Sequence, residues 1–152
     1  MINSFQGNYY FLSNFYSCPV TWDGITYQNS EAAFQSAKVL DKDIRKTFAN
    51  LNPSDAKRKG RHVLLRPDWE DVKYDIMYEI VYAKFSQNDV LKAKLLDTYH
   101  QHLEEGNTWG DKVWGTVHGI GENHLGKILM RVRDVLRDQT LGEQAWESKI
   151  QK

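Results

Sequence analysis

From Pro67 onward, apolar residues recur every three to four positions, at Trp69, Val72, Ile76, Ile80 and Tyr82 to Phe85, the period of one helix face. Pro67 and Asp68 suit the opening of this helix, which the pattern makes a core element. A second stripe, Leu91, Leu95, Tyr99 and Leu103, follows Asn88 as its cap. A third, Leu125, Leu129, Val132 and Leu136, follows Asn123 in the same role, and after Thr140 the chain turns polar, predicting a tail. Toward the N-terminus the period changes. VTWDGITY, from Val20 to Tyr27, alternates around Asp23-Gly24 and predicts a hairpin. Ser30 is placed to cap a helix from Glu31 to about Leu40, with Phe34 and Ala37 inward, and Asp41 to start the next. Asn52, Pro53 and Asp55 read as cap, first position and first-turn acid of a short helix ending near Gly60. The expected fold is mainly α: one compact helical domain over residues 1–152 with a small N-terminal β-hairpin, its core about 11–138 and a polar tail over 139–152.

Between the last two stripes lies EEGNTWGDKVWGTVHGIGENHLGKILM, from Glu104 to Met130, with two tryptophans, several glycines and acidic side chains. A connection this long in a compact domain has a function or is disordered, and its tryptophans argue against disorder.

Composition narrows the partners. Lys+Arg and Asp+Glu both number 20, so no general attraction to nucleic-acid phosphates or anionic membranes is expected, although Lys57 to Arg66 form a short basic track. Aromatic residues are 12% of the chain, with 5 Trp and 8 Tyr, leaving rings to stack on a planar ligand. Cys18 is the sole cysteine, so no internal disulfide can form, and MINSFQGNYYFLSNFY lacks the basic start and apolar run of a signal peptide. A cytoplasmic, membrane-free protein is expected.

Glu31 and Lys38 stand seven residues apart with Gln35 between them, so a continuous helix puts all three on one face. That stripe is a solvated face or a site. A carboxylate in the first turn is favoured as the anion by the helix dipole, which points Glu31 toward a base or cation-stabilising role. Asp111, preceded by Glu104, Glu105 and Asn107, lies just before Trp114-Gly115. It reads either as an acid beside a stacking ring or as a loop acid bonding backbone amides. Arg61 and Arg66 each offer paired hydrogen bonds to a phosphate. Ser13 and Asn14 sit among the rings of FLSNFY, where they read ligand polar groups or form an ordinary turn. Gly119-x-Gly121 lacks the third glycine and preceding strand of a dinucleotide fingerprint, and Gly126-Lys127 lacks the Ser/Thr of a phosphate loop. The scattered histidines lack metal-ligand spacing, so neither metal nor cofactor is expected.

FLSNFY, YQNSEAAFQSAK, GRHVLLRPDW, KYDIMYEIVYAKF and EGNTWGDKVWGTVHGIGENHLGKILMRVR, taken in order from Phe11 to about Arg133, resemble the NADAR, or YbiA-like, N-glycosidase family. The resemblance implies hydrolysis of a bond between ribose and an amino nitrogen on a heterocycle. Two substrate classes go with it: ribosylamino-pyrimidine 5′-phosphates of early riboflavin synthesis, and ADP-ribose on the amino group of guanine, including guanine in nucleic acid. Matching motif positions place Glu31, Lys38 and Asp111 as catalytic residues. They place Trp69, Trp114, Gly115 and Asn123 in the pocket, joined by Ser13, Asn14 and Phe15 of FLSNFY and by Arg61. The segment from Glu105 to Asp111 is longer than in some members, leaving Asn107 and Trp109 without an assigned role. Two chemical routes fit: direct hydrolysis, or a Schiff base on an uncharged Lys38. The alternative reading is a module that binds ADP-ribose or a nucleotide without turnover; a purely structural interaction domain is the third. The physiological substrate, the identity of the general acid and the oligomeric state stay open at this level.

Overall fold

A computed structural model describes residues 1–150. A 3-10 turn over Gly7–Leu12 leads into strand β1 (Ser17–Trp22), which pairs antiparallel with β2 (Ile25–Asn29). Asp23 and Gly24 join them with φ of 49° and 81°, the left-handed pair that matches the strands' twist. Helices follow as α1 (Ser30–Ser36), α2 (Lys42–Lys46), α3 (Pro53–Gly60), α4 (Trp69–Gln87), α5 (Asp89–Leu96) and α6 (His124–Ile150). The fold is mainly helical with one small hairpin. No described helix is long and apolar enough to cross a membrane.

Helix α1 follows β2 without a loop, and every one of its seven residues is buried. Its cap is Asn29, whose side chain accepts from the Ala32 amide at 2.7 Å; Ser30, expected in that role, is the first helical residue and is fully buried. The helix also stops at Ser36, short of Leu40. The segment before α4 explains this: the Arg66 amide donates to the Lys38 carbonyl at 2.8 Å, and the Arg66 guanidinium reaches the Ala37 carbonyl at 3.4 Å. Those carbonyls are satisfied across the fold, so the helix need not continue.

Asn88 stands at the N-cap position of α5 but makes no capping bond, its side chain donating to the Pro19 and Lys84 carbonyls instead; two other expected caps form. Asp41 caps α2 by accepting from the Asp43 and Ile44 amides. Asn52 accepts from the Asp55 amide at 2.8 Å, and Pro53 occupies the first position of α3. Helix α4 buries Trp69, Ile76, Met77, Ile80, Val81 and Phe85 against the hairpin, α1 and α6.

Helix α5 ends eight residues after it begins, before Tyr99 and Leu103. Tyr99 has φ of 54° and points largely to solvent, while Leu103 is fully buried outside the helix. Leu103 instead pairs with Ile2: the Ile2 amide donates to the His102 carbonyl and the Glu104 amide to the Ile2 carbonyl, both at 2.9 Å. The N-terminal segment thus pulls 102–104 into extended backbone. Buried Arg133 of α6 closes the gap, donating to the Thr98 hydroxyl and the Gln101 carbonyl, each at 2.9 Å.

In α6 the expected stripe of Leu125, Leu129, Val132 and Leu136 is buried. Asn123 does not cap this helix; its side chain is engaged elsewhere, as described below. The polar stretch after Thr140 is an exposed helix as far as Ile150; residues 151–152 lie outside the described residues. Leu, Glu, Gln, Ala and Lys, all good helix formers, extend the element without needing a buried face.

Candidate active site

A cavity of about 660 Å³ opens between α1, α3, the start of α4, the loop after the 3-10 turn and the long segment before α6. The expected residues Ser13, Asn14, Phe15, Glu31, Lys38, Arg61, Trp69, Asp111 and Trp114 line it together. Gly115 and Asn123 do not; they shape the wall from behind.

Glu31 sits in the first turn of α1 and is only 8% exposed. Its amide donates to the Asn14 carbonyl at 3.1 Å, tying FLSNFY to the helix, and its Oε1 accepts from Gln35 Nε2 at 2.8 Å. The helix-dipole argument favours a plain anion here, but burial dominates and raises the carboxyl pKa. The Gln35 hydrogen bond and the Lys57 and Lys38 charges lower it, while Asp111 adds to the rise. A seven-residue helix carries a weak dipole, so desolvation wins. With Glu31 and Gln35 buried and Lys38 half-buried, this stripe is not a solvated face.

Lys38 lies past the end of α1 in a turn, yet still faces the cavity. Its Nζ donates to the Gly60 carbonyl at 3.4 Å. Burial lowers its pKa; Glu31 opposes this, and Arg61 and Lys57 reinforce it.

Asp111 fulfils both of its readings. Its Oδ1 accepts from the Val113 and Trp114 amides at 3.1 and 2.9 Å, and it also lines the cavity. Asn107 ties the two ends of the 105–111 segment together. It accepts from the Asp111 amide at 3.1 Å and donates to the carbonyls of Asp111 at 2.8 Å and Glu105 at 3.3 Å. Trp109, 56% exposed, stands on the cavity rim.

Rings form the opposite wall. Phe34 holds Trp69 and Trp114 at centroid distances of 5.1 and 5.2 Å, and Tyr74 backs Trp114 at 5.3 Å, within the range of favourable aromatic contact. Ser13 Oγ accepts from the Phe15 amide at 3.1 Å, so the FLSNFY turn is locally made. Buried Lys84 then fixes it from α4, Nζ donating to the Ser13 carbonyl at 2.9 Å. Burial lowers the Lys84 pKa to about 8.

Of the two arginines, only Arg61 faces the cavity. Arg66 forms a two-point bond with Asp68, Nε to Oδ1 at 2.7 Å and Nη2 to Oδ2 at 3.0 Å, and is occupied as a structural clamp. Reading from sequence left Lys57 and Arg58 within a general basic track and passed over Ser54; all three line the cavity from α3, at helical spacing with Arg61 at its C-cap. That i, i+3, i+4, i+7 pattern was legible in principle. It also missed Glu105, whose segment is extended: Leu103 and Glu105 point inward, whereas Glu104 between them accepts from the Thr116 hydroxyl at 2.8 Å and approaches His102. Glu105 Oε2 is buried without a hydrogen-bond partner among the described residues.

Gly115 and Asn123 position Glu105. A side chain at 115 would collide with the Glu105 carbonyl. Asn123, with φ of 51°, accepts from the Glu105 amide at 3.0 Å and donates to the Leu103 carbonyl at 2.9 Å.

The NADAR domain model matches residues 3–137. The chain is 41% identical over 128 residues to the N-glycosidase YbiA of Escherichia coli, a match covering 82% of this chain and 79% of the relative. A riboflavin biosynthesis protein of Vibrio vulnificus is 36% identical over 137 residues, 86% of this chain but 36% of that longer protein. The NMR structure of the E. coli protein YbiA superimposes with a TM-score of 0.80 at 36% identity, covering 93% of this chain and 89% of that one. The chain belongs to the NADAR domain family.

Proposed function

We propose that the cavity hydrolyses the N-glycosidic bond between ribose 5-phosphate and the amino group of a pyrimidine, as in the early intermediates of riboflavin synthesis. Family membership and relatives named N-glycosidase over most of both chains make the protein an N-glycosidase enzyme. One observation carries the substrate reading. A single cavity joins a tryptophan wall, three carboxylates and a cationic α3 stripe, the partners of a planar base, a ribosyl cation and a phosphate respectively. About 660 Å³ lies in the range that encloses a small ligand. ADP-ribosylated guanine presents the same bond and is the second substrate class; its additional nucleotide would extend past Tyr10 and Trp109 on the rim. A cytoplasmic location belongs to the same reading, supported by the single free cysteine.

Breaking a ribosyl C–N bond develops positive charge at the anomeric carbon and ring oxygen. Glu31 and Asp111 supply the compensating negative charge and orient water, in a site where burial strengthens each interaction. Lys38 favours a second route: burial depresses its pKa, raising the uncharged fraction that can attack an opened ribosylamine as a nucleophile.

Mass spectrometry of products separates these possibilities. With 5-amino-6-ribosylaminouracil 5′-phosphate the expected product is ribose 5-phosphate, absent from the Glu31→Ala control. With an ADP-ribosylated-guanine oligonucleotide, ADP-ribose would identify the second class. Release of neither product would reduce the site to a binding module. Borohydride added during turnover traps an adduct lost in Lys38→Ala if the imine forms, and active enzyme without an adduct leaves direct hydrolysis.

Arg61 is exposed on the rim with the phosphate side of the stripe. Arg61→Ala is expected to raise KM for the phosphorylated substrate about tenfold, the loss of one charge-assisted contact. The dephosphorylated riboside should show no such change, and steady-state kinetics on the pair checks it.

A further inference from the structure

We infer that Glu105 is the catalytic acid that protonates the departing amino nitrogen, a role that rests on the N-glycosidase reading above. Three observations point to it. Glu105 lines the same cavity as Glu31 and Asp111, yet one of its carboxylate oxygens, Oε2, is buried and has no hydrogen-bond partner among the described residues. A carboxyl oxygen in that condition is held ready for a group not contributed by the protein.

Its backbone is fixed on both sides. The amide is held by Asn123 Oδ1 at 3.0 Å; the carbonyl accepts from the Thr116 amide at 2.9 Å and Asn107 Nδ2 at 3.3 Å. The Gly115 backbone closes behind it at a distance that excludes any side chain. Such anchoring holds an acid in place while its proton moves.

The third observation is the arrangement of charge. Two further carboxylates, Asp111 and Glu31, act on Glu105 and, with burial, favour its neutral form, with Lys57 opposing. Burial is the largest cause, and together they push the carboxyl up to about 8. Glu105 therefore carries its proton at neutral pH, as a general acid must. Neighbouring Glu104, bonded to Thr116 and close to His102 on the other face, offers no such group.

The step balances. Glu105 passes its proton to the amino nitrogen as the bond to the anomeric carbon breaks, and the electron pair of that bond leaves with the amine. Water then adds to the carbon, giving its proton to a cavity carboxylate, and solvent restores the proton on Glu105. On the imine route the amine is expelled from the same carbon and needs the same proton, so the assignment holds for both.

The test is the pH dependence of kcat and KM on 5-amino-6-ribosylaminouracil 5′-phosphate for the parent, Glu105→Gln, Glu105→Asp and Glu104→Gln. The parent is expected to lose kcat as pH rises through about 8. Glu105→Gln should lower kcat by about 100-fold or more, with KM changed less than threefold and the alkaline limb gone. Glu105→Asp should recover part of the rate and keep a limb, and Glu104→Gln should match the parent. A folded Glu105→Gln with the parent's kcat and alkaline limb would overturn the role of Glu105 alone. Absence of turnover by the parent at every pH would overturn the N-glycosidase reading and this inference with it. The parent's own profile is informative even if the Gln variant fails to fold, since a flat profile through that range would also refute the assignment.

Discussion

Glu31→Gln is expected to lower kcat by about a thousandfold, or roughly 4 kcal/mol of transition-state stabilisation, with KM changed only a few-fold. The charge that develops at the anomeric carbon exists only in the transition state, so removing the facing carboxylate penalises that state and spares the ground-state complex. Glutamine preserves the shape and can still accept from Gln35 Nε2, so the helix stays in place. The same substitution should raise stability at neutral pH. Burial raises the native carboxyl pKa, so the native state binds this proton more tightly than the unfolded chain does. Stability therefore declines as pH rises above the unfolded value toward the native one, and the variant escapes that decline. Melting temperatures should show the variant ahead of the parent near neutrality and the difference closing in acid. A variant both inactive and less stable at neutral pH would instead make Glu31 a structural carboxylate.

Asn123→Ala is the second large effect, with an expected loss of about 3 kcal/mol in urea unfolding. The side chain makes two hydrogen bonds, to the Glu105 amide and the Leu103 carbonyl. Losing both costs about 1 kcal/mol each and strands the partners in a partly buried site. Alanine must also adopt φ of 51°, which costs an L-residue about 1 kcal/mol. Asn123→Gly separates the contributions: glycine takes the backbone angle freely, so its loss should be smaller by about that last amount. Both variants should lower kcat more than they raise KM, because what they release is the backbone that aims Glu105. Gly126 leaves room for this arrangement, since a side chain there would meet the Asn123 amide group.

The two substitutions probe different levels of the fold. Glu31 was placed in the site by motif and spacing, and the structure kept it there although α1 ended early. Asn123 was placed in the pocket by a separate motif, and the structure sets it one layer behind the lining. Gly115 shares that position, and Arg66 is removed from the cavity altogether by Asp68. Residue identity marks what is chemically able to bind; whether it faces the ligand or holds the residue that does depends on contacts between distant segments.

The elements whose causes lie within a few residues were legible from the chain alone: the Asp23-Gly24 hairpin, the Asn52-Pro53-Asp55 start of α3, the Asp41 cap of α2 and the apolar faces of α4 and α6. Caps, turn angles and helix faces are set by hydrogen bonds and sterics over one or two turns, and Glu31, Lys38 and Asp111 could be picked out because their motif neighbours lie equally close. Tertiary structure alone decided that α1 stops at Ser36, where Arg66 takes the Ala37 and Lys38 carbonyls just beyond it, and that α5 stops before Tyr99 where Ile2 draws 102–104 into extended pairing. It also separated Glu105 from Glu104 and raised the Glu31 pKa where the helix dipole alone would lower it. These outcomes depend on desolvation and on hydrogen bonds from segments distant in the chain, and neither quantity exists until the core has assembled.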